Sequence, residues 1–485
     1  MIEFIIKLHP EIAIKSKSVR KRQTLLLERN IKTILLRTDS NIEVNNNYDH
    51  LTIRCPSDDV AIHQQLIDRL SCIPGIVHFS EMQSSTFSSL HDIYEQVAAV
   101  YAEQIQNKTF CVRVRRAGKH DFSSIEAERY IGGGLNQLVA SAQVKLTKPD
   151  IVVALEVRKD QLIMVRKQHQ GMGGFPLPSQ SDVLSLISGG YDSAVASYLM
   201  IRKGLRTHYL FFNLGGAAHE AGVREMAHLI WQKYSLSHKV KFVSVNFAPV
   251  VDQILETIDN GLMGVVLKRM MMRAASTVAE KLGIKAIVTG ESIGQVSSQT
   301  IANLSVIDRV TETLILRPLI YQDKQEIIAL AAKIGAEDIA KSMPEYCGVI
   351  SRKPTVNAVL AEVIANEQNF DFAVLDQAVQ DAKVLDIRTI EYQAEQQADV
   401  VTVLAQLPAD AVVLDIRSPE ETDVKPLTVE GHDVVELPFF RLASQFANLD
   451  QSKHYYCYCE RGVMSRLQAV VLQEQGFKNV SVYRP

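Results

Sequence analysis

The chain has 485 residues, of which 47% are hydrophobic and 22% are charged. The length predicts about three domains, and the composition is typical of a globular protein, which excludes a disordered, collagen-like or coiled-coil chain. The net charge of −3 divides unevenly, with +4 over residues 1–180 and −8 over residues 371–485. A basic front suits an anionic partner such as nucleic acid, although chance variation in surface charge would give the same excess.

The N-terminus predicts a strand and no leader. Residues 1–8 alternate in polarity, and they lack the basic start and apolar block of a signal peptide. No stretch of the sequence approaches the roughly 18 to 20 apolar residues that a membrane span needs. We therefore expect a cytoplasmic protein without a membrane partner. Periodicity around residues 25–36 predicts an amphipathic helix.

A second unit and a long α/β region follow in chain order. Between about residues 61 and 167 we expect a helix near 62–70 and strands around 76–79 and 109–114, and residues 171–178 read as a Gly/Pro linker. Apolar runs then alternate with helical patterns, which predicts a parallel α/β sheet; its strands are expected at 183–187, 208–214, 241–247 and 286–289. The acidic, Gln-rich residues 370–404 predict a helical connector, and a last small α/β unit begins near residue 411.

A glycine-rich loop connects the first strand of this region to a helix. Its sequence, Ser188-Gly-Gly-Tyr-Asp-Ser193, offers backbone N–H groups at Gly189 and Gly190 and two hydroxyl donors, which suits an anion at a helix N-terminus. The lysine of a Walker A loop is absent. The string instead matches the pyrophosphate loop of PP-loop ATP pyrophosphatases, which cleave ATP between the α- and β-phosphates. A tight turn with a serine cap is the structural alternative.

Other residues are candidates to complete a nucleotide site around this loop. Ligands bind at the carboxyl ends of parallel strands, and most of the candidates lie at or just after the end of a predicted strand. The exception is Lys268, which could neutralise a phosphate. Taken alone, each of these surrounding positions is better explained as an ordinary exposed, turn or loop residue. The predicted set is Leu186, Ile187, Ser188, Gly189, Gly190, Ser193, Lys268, Gly290 and Gln299, with Asp192 as a catalytic candidate.

The six cysteines are too few for a disulfide scaffold and contain no CxxC pair, which argues against a metal site. Cys459 follows an apolar strand and opens a loop before a helix that we expect to begin at Arg466, where Ser465 and Gln468 have capping-box spacing. A helix N-terminus should lower the thiol pKa, and the loop resembles the active loop of rhodanese-like domains, whose cysteine carries a persulfide. An inert buried thiol is the alternative.

The remaining cysteines give weaker predictions. Cys347 lies between a proline and a glycine, so it is expected on a loop, as a thiol available for exchange or as a passive surface cysteine. Cys457 is expected to be inert, and Cys55, Cys72 and Cys111 are expected in the core.

Two basic clusters occur in the front of the chain. Such groups bind phosphate backbones without reading sequence, which favours a structured RNA recognised by shape, with a solvated surface as the alternative. The candidate RNA-binding residues are Lys15, Arg20, Arg113, Arg115, Arg116, Lys119 and His120.

Taken in order, these motifs resemble one family. The basic front, the SGGYDS loop, residues 344–348 (Pro-Glu-Tyr-Cys-Gly) and the tail with Cys459 are similar to the bacterial tRNA 4-thiouridine synthetases, or tRNA uracil 4-sulfurtransferases, in the long form with a rhodanese-like tail. The resemblance implies a multidomain α/β protein of four units: an N-terminal ferredoxin-like α+β domain (1–60), a THUMP RNA-binding domain (63–168), a Rossmann-like PP-loop domain of the adenine nucleotide alpha-hydrolase type (177–395) and a rhodanese-like domain (405–485).

The resemblance also implies a reaction and its partners. ATP with Mg²⁺ would adenylate uridine 8 of tRNA, and a Cys459 persulfide, charged by a cysteine desulfurase, would deliver sulfur and leave a Cys347–Cys459 disulfide. A sulfur-carrier protein of thiamine thiazole synthesis would be a second sulfur acceptor. A homodimer is possible. The rivals are a PP-loop RNA-modifying ligase without sulfur relay, against which Cys459 argues, and a non-catalytic RNA-binding or sulfur-carrier protein, against which the intact SGGYDS loop argues.

Overall fold

A computed structural model describes residues 2–47, 50–214, 216–341, 343, 354–390, 401–417, 422, 425–437, 442, 445–460 and 462–485. The chain separates into two compact units, Met1–Pro176 and Leu177–Pro485. Among the described residues, no helix is both long and apolar enough to cross a lipid bilayer.

The first unit is built on one eight-stranded sheet in the order β2-β3-β1-β4-β8-β7-β5-β6. Its strands are β1 Ile2–Leu8, β2 Glu43–Asn47, β3 His50–Cys55, β4 Ile76–Thr86, β5 Thr109–Ala117, β6 Gln143–Val144, β7 Ile151–Arg158 and β8 Gln161–Gln170. Its helices are α1 Pro10–Ala13, α2 Lys17–Leu35, α3 Val60–Ser71, α4 Leu90–Tyr101 and α5 Ser124–Leu138. The strands predicted near residues 1–8, 76–79 and 109–114 are confirmed as β1, β4 and β5.

Apolar side chains on the covered face of this sheet hold the helices. Phe4 of β1 packs edge-on against Phe79 of β4, with ring centroids 5.7 Å apart, and both are fully buried. In β5, Val112 and Val114 are buried and pack in a core with Ile131 of α5, whereas Arg113 and Arg115, which alternate with them, are exposed. The alternation therefore leaves Arg113 and Arg115 on the opposite, solvent-facing side of the strand.

The second unit contains a six-stranded sheet in the order β13-β12-β9-β10-β11-β14. All of its neighbours run parallel except the antiparallel pair β11–β14. Its strands are β9 Val183–Leu186, β10 Thr207–Asn213, β11 Lys241–Asn246, β12 Ala286–Val288, β13 Leu314–Leu316 and β14 Lys383–Asp386. Its helices are α6 Tyr191–Arg202, α7 Gly216–Tyr234, α8 Ala248–Thr257, α9 Met263–Leu282, α10 Ile301–Asp308, α11 Lys324–Ile334, α12 Glu337–Lys341, α13 Leu360–Glu367 and α14 Phe372–Gln380. The four predicted strands are confirmed as β9 to β12.

The prediction of a helical connector over residues 370–404 is wrong in part. Its first segment is α14, but Lys383–Asp386 forms the edge strand β14, which pairs with β11. Backbone hydrogen bonds to β11 decide the conformation of these four residues, and no local pattern announces such a partner. Residues 391–400 lie outside the described residues.

The end of the chain forms a five-stranded parallel sheet in the order β15-β19-β18-β16-β17. Its elements are β15 Val403–Leu404, β16 Val412–Asp415, β17 Asp433–Glu436, β18 Tyr455–Tyr458, α15 Val463–Glu474 and β19 Val480–Tyr483. We refer to residues 401–485 as the tail. Its last helix begins at Val463, so the predicted start at Arg466 with a Ser465 cap is wrong, and Ser465 lies inside the first turn.

Candidate active site

The SGGYDS loop connects β9 to α6 and is held by its own hydroxyl groups. The backbone N–H of Ser188 donates to Ser193 Oγ at 3.2 Å, and Ser193 Oγ donates to the Gly190 carbonyl at 3.1 Å. Gly189 has φ +81°, a conformation that favours glycine. A Cβ on Gly290, in the loop after β12, would lie 2.6 Å from the Asp192 carbonyl carbon. Only glycine therefore lets the two loops approach so closely.

A cavity of about 490 Å³ opens beside this loop. Nine of the ten nucleotide-site residues chosen from the sequence line it: Leu186, Ile187, Ser188, Gly190, Asp192, Ser193, Lys268, Gly290 and Gln299. Gly189 is the exception. The Met343 side chain packs directly over Gly189: a Cβ added to Gly189 would lie only 2.6 Å from Met343 Cε.

Asp192 is held by two side chains that the sequence analysis missed. Lys324 Nζ lies 2.9 and 3.0 Å from the two carboxylate oxygens, and Gln295 Nε2 donates to Oδ2 at 2.8 Å. Lys324 is the first residue of α11, directly after the loop that follows β13. The signal in the sequence that could have identified Lys324 is its position after a strand of the parallel sheet. That strand, β13, was not predicted, so Lys324 was not chosen.

A second carboxylate, Glu291, also lines the cavity. Buried Glu291 accepts from Arg317 Nε at 2.8 Å and from Thr289 Oγ1 at 2.9 Å, and Lys268 Nζ lies 3.7 Å from its other oxygen. Burial acts to raise the pKa of Glu291, but Lys268 and Arg317 outweigh it and hold the pKa below its usual value. Glu291 is therefore a carboxylate that orients Lys268 at the cavity.

His219, on the first turn of α7, also lines the cavity. Burial lowers its pKa to about 4, although its hydrogen bond to the Ser188 backbone acts in the opposite direction. The imidazole is therefore neutral near pH 7 and contacts the glycine-rich loop without adding a charge.

Cys459 follows β18 at the mouth of a short loop in the tail. Its Sγ accepts from the Ser465 N–H at 3.3 Å and lies 3.4 Å from Ser465 Oγ. The expectation of a lowered thiol pKa is wrong for this arrangement: burial raises the pKa of Cys459, and Glu225 of α7 adds to the rise, against the lowering effect of Ser465. Cys459 packs against the core of the tail, and the contact of the tail helix α15 with α7 brings the Glu225 carboxylate near it.

Met343 connects the two sites within the second unit. Its side chain packs over Gly189 and also against the hydrophobic core of the tail. Cys347 lies outside the described residues, four positions after Met343 in the sequence. Cys457 is fully buried, which raises its pKa and agrees with an inert thiol, and Cys55 and Cys111 are buried, whereas Cys72 is only half-buried.

Family models and relatives match the whole length of the chain. The models are a ThiI ferredoxin-like domain (residues 3–80), a THUMP domain (87–165), the thiamine biosynthesis protein ThiI (178–372) and a rhodanese-like domain (400–484). A tRNA sulfurtransferase of Tolumonas auensis is 59% identical over 100% of both chains. Those of Shewanella piezotolerans and Salmonella typhimurium are each 56% identical, again over 100% of both chains.

The chain belongs to the tRNA sulfurtransferase family.

A solved structure supports the same fold for this tRNA sulfurtransferase family member. It is described as a 4-thiouridine synthetase–RNA complex with bound ATP, has a TM-score of 0.66 and 24% identity, and covers 80% of this chain and 99% of its own. The multidomain α/β fold predicted from the sequence, with ferredoxin-like, THUMP, PP-loop and rhodanese-like parts, is thereby confirmed.

The basic residues predicted for RNA lie on three parts of the first unit. Lys15 is exposed between α1 and α2, and Arg20 lies on α2. On β5, Arg113 donates to the Leu146 carbonyl at 2.9 Å, and Arg116 Nη1 lies 3.3 Å from His120 Nδ1. Arg113 and Arg115 therefore lie on the exposed face of β5, whereas Arg116 alternates to the other face beside His120, and Lys119 is exposed in the loop after the strand.

Proposed function

We propose that this protein makes 4-thiouridine at position 8 of tRNA in two ATP-dependent stages. One observation carries the proposal: a single compact unit holds both a cavity lined by a pyrophosphate-type loop and a tail cysteine in a loop, with Met343 packing on the glycine-rich loop and on the core of the tail. The printed name of the relatives, tRNA sulfurtransferase, agrees with such a pair of sites.

In the first stage, the uridine O4 attacks the α-phosphorus of ATP and pyrophosphate leaves. The N–H groups of the glycine-rich loop face the departing phosphates, and Lys268 and Lys324 supply positive charge at the cavity wall. Asp192 is the catalytic candidate because Lys324 and Gln295 fix its carboxylate beside the loop.

Mg²⁺ would arrive with the ATP phosphates. No group of three or more His, Cys, Asp or Glu side chains in the described part of the chain could hold a metal alone, and Mg²⁺ commonly binds through one or two carboxylates together with phosphates. Asp192 fits that role at the cavity. The ion would neutralise charge on the leaving pyrophosphate.

In the second stage, the outer sulfur of a Cys459 persulfide attacks C4 of the adenylated uridine, and AMP leaves. Attack of the Cys347 thiolate on Cys459 Sγ then breaks the sulfur–sulfur bond, leaves the sulfur on C4 and forms a Cys347–Cys459 disulfide. A dithiol reductant reopens this disulfide with two electrons. A cysteine desulfurase would supply the persulfide, and a thiamine sulfur-carrier protein would be a second acceptor, in keeping with the description of the central family model.

The four domain boundaries and the RNA-binding residues given above belong to the same proposal, as does a cytoplasmic location. Assays with purified protein test it. Pyrophosphate release should require ATP and tRNA but no sulfur donor, and 4-thiouridine, detected by mass spectrometry of the digested tRNA, should require the persulfide donor as well. Pyrophosphate release without any thiolated product in the complete mixture would instead indicate a ligase without sulfur relay.

A further inference from the structure

An exposed aromatic side chain stands beside the cavity on a loop that is firmly held. Tyr321 is 81% exposed, on the segment between β13 and α11. Arg317, where this segment begins, binds Glu291, and Lys324, where it ends, binds Asp192. Both ends of the loop are therefore attached to residues that line the cavity.

The backbone on each side of Tyr321 is attached to the neighbouring loop. The Ile293 N–H donates to the Ile320 carbonyl at 3.1 Å, and Ser292 Oγ donates to the Gln322 carbonyl at 2.9 Å. The Ser292 N–H in turn donates to the side chain of Gln299, a cavity-lining residue, at 3.1 Å. The backbone that carries Tyr321 is thus held on both sides, and its side chain is exposed to solvent.

Two apolar side chains on the neighbouring loop are exposed as well. Ile293 is 49% and Val296 46% exposed, and Val296 also lines the cavity. A folded protein gains nothing by exposing an aromatic ring and two aliphatic side chains together, so such a rim indicates a binding partner. We call Ile293, Val296 and Tyr321 the apolar rim.

The charges nearby indicate which partner fits. Lys268, Lys324 and Lys341 line the cavity, each beside a carboxylate, and their remaining N–H donors suit an anion there, whereas the apolar rim is exposed. A nucleotide of a polyanionic strand has both properties, and base-on-aromatic stacking tolerates any base. Tyr321 does not line the cavity, so the adenine of ATP is not the base concerned.

We propose that Tyr321 stacks on an unpaired base of the tRNA substrate and so presents the neighbouring uridine to the ATP cavity. This inference rests on the proposed function and adds a specificity-determining residue to it. The body of the tRNA is held by phosphate contacts elsewhere, so Tyr321 acts on presentation of the base and not on overall affinity.

The test compares Tyr321→Ala, Tyr321→Phe and a matched control, Leu314→Ala, in the full-length protein. Leu314 is 60% exposed and lies at the opposite end of β13. The kcat of tRNA-dependent pyrophosphate release should fall about tenfold in Tyr321→Ala, the cost expected for one lost stacking contact. KM for tRNA and the Kd of ATP should stay within about threefold. Tyr321→Phe keeps the ring and should behave like wild type, as should Leu314→Ala.

Several outcomes would overturn the inference. These are an unchanged kcat in Tyr321→Ala, an equal loss in Tyr321→Phe, a weaker Kd for ATP alone, or a changed oligomeric state by sedimentation, which would assign the rim to a second copy of the chain. If wild type itself released no pyrophosphate with tRNA, the proposed function would fail first, and the two failures are thus distinguishable.

Discussion

Asp192 is the residue on which the first stage should depend most. Lys324 and Gln295 hold its carboxylate at the cavity. We expect Asp192→Asn to reduce tRNA-dependent pyrophosphate release by at least about a hundredfold, because a neutral amide neither carries Mg²⁺ nor balances Lys324. Binding of tRNA, measured by filter retention, should be unchanged.

Asp182 provides the control for this prediction. It is ion-paired with Arg206 at the opposite, amino end of β9. Asp182→Asn should therefore retain pyrophosphate release near the wild-type rate. Normal activity of Asp192→Asn would show that the carboxylate has no part in the ATP reaction.

Replacement of Cys459 and of Cys347 by serine should block different steps of the sulfur transfer. Cys459→Ser should accept no sulfur from a desulfurase, whereas Cys347→Ser should still form a persulfide on Cys459 and fail at turnover. After one round without reductant, the wild type should contain a Cys347–Cys459 disulfide, identified by mass spectrometry of peptides. Cys457→Ser is the control, because its thiol is fully buried. A Cys457–Cys459 disulfide would contradict the assigned role of Cys347.

At the scale of elements, α7 contributes a charge to the environment of the tail cysteine. Burial raises the pKa of Cys459, and the carboxylate of Glu225 on α7 raises it further. In Glu225→Gln the second effect is lost, so the pKa falls and more thiolate exists at any pH below it. The pH profile of Cys459 alkylation should therefore move to lower pH, with a faster reaction at pH 7.

Glu280→Gln is the control for α7, because Glu280 is exposed on α9. It should leave the alkylation profile unchanged. A profile that is the same in Glu225→Gln and wild type would mean that α7 does not cover the thiol in solution.

Helix α9 is attached to α13 by a buried ion pair. Arg269 Nε lies 2.5 Å from Glu367 Oε1, and both side chains are at most 5% exposed. Glu367→Ala should destabilise the second unit by about 3–5 kcal/mol, because it leaves a buried guanidinium without its counter-charge. Urea unfolding followed by circular dichroism measures this loss. Glu362→Ala, at an exposed position of the same helix, should cost less than about 0.5 kcal/mol.

At the scale of the whole molecule, the first unit should bind tRNA by itself. Residues 1–176 contain a complete sheet with its own core and the basic surface on β5. A fragment ending at Pro176 should bind tRNA weakly, with an affinity that falls steeply as salt rises, because each phosphate contact releases counterions. Arg113→Ala together with Arg115→Ala should reduce the salt slope. Binding that is insensitive to salt would contradict a phosphate-binding surface.

Local patterns in the sequence determined much of this protein. The strand–loop–helix around SGGYDS, the loop of Cys459 and the alternating strands were all predicted, because glycine positions and hydrophobic periodicity act over a few neighbouring residues. The strand β14 was not predicted, since pairing with β11 decides it, and α15 begins at Val463, three residues before the predicted start.

Tertiary structure alone decided the partners of the site residues. Lys324 reaches Asp192 across 132 positions, and Glu225 approaches Cys459 only because α15 packs on α7. The thiol pKa reversed its predicted direction because a helix N-terminus is a local feature, whereas the burial and the Glu225 charge that outweigh it arise from tertiary packing. Chemistry carried by contiguous residues could therefore be predicted from the sequence, whereas electrostatic environment, which depends on everything packed around a group, could not.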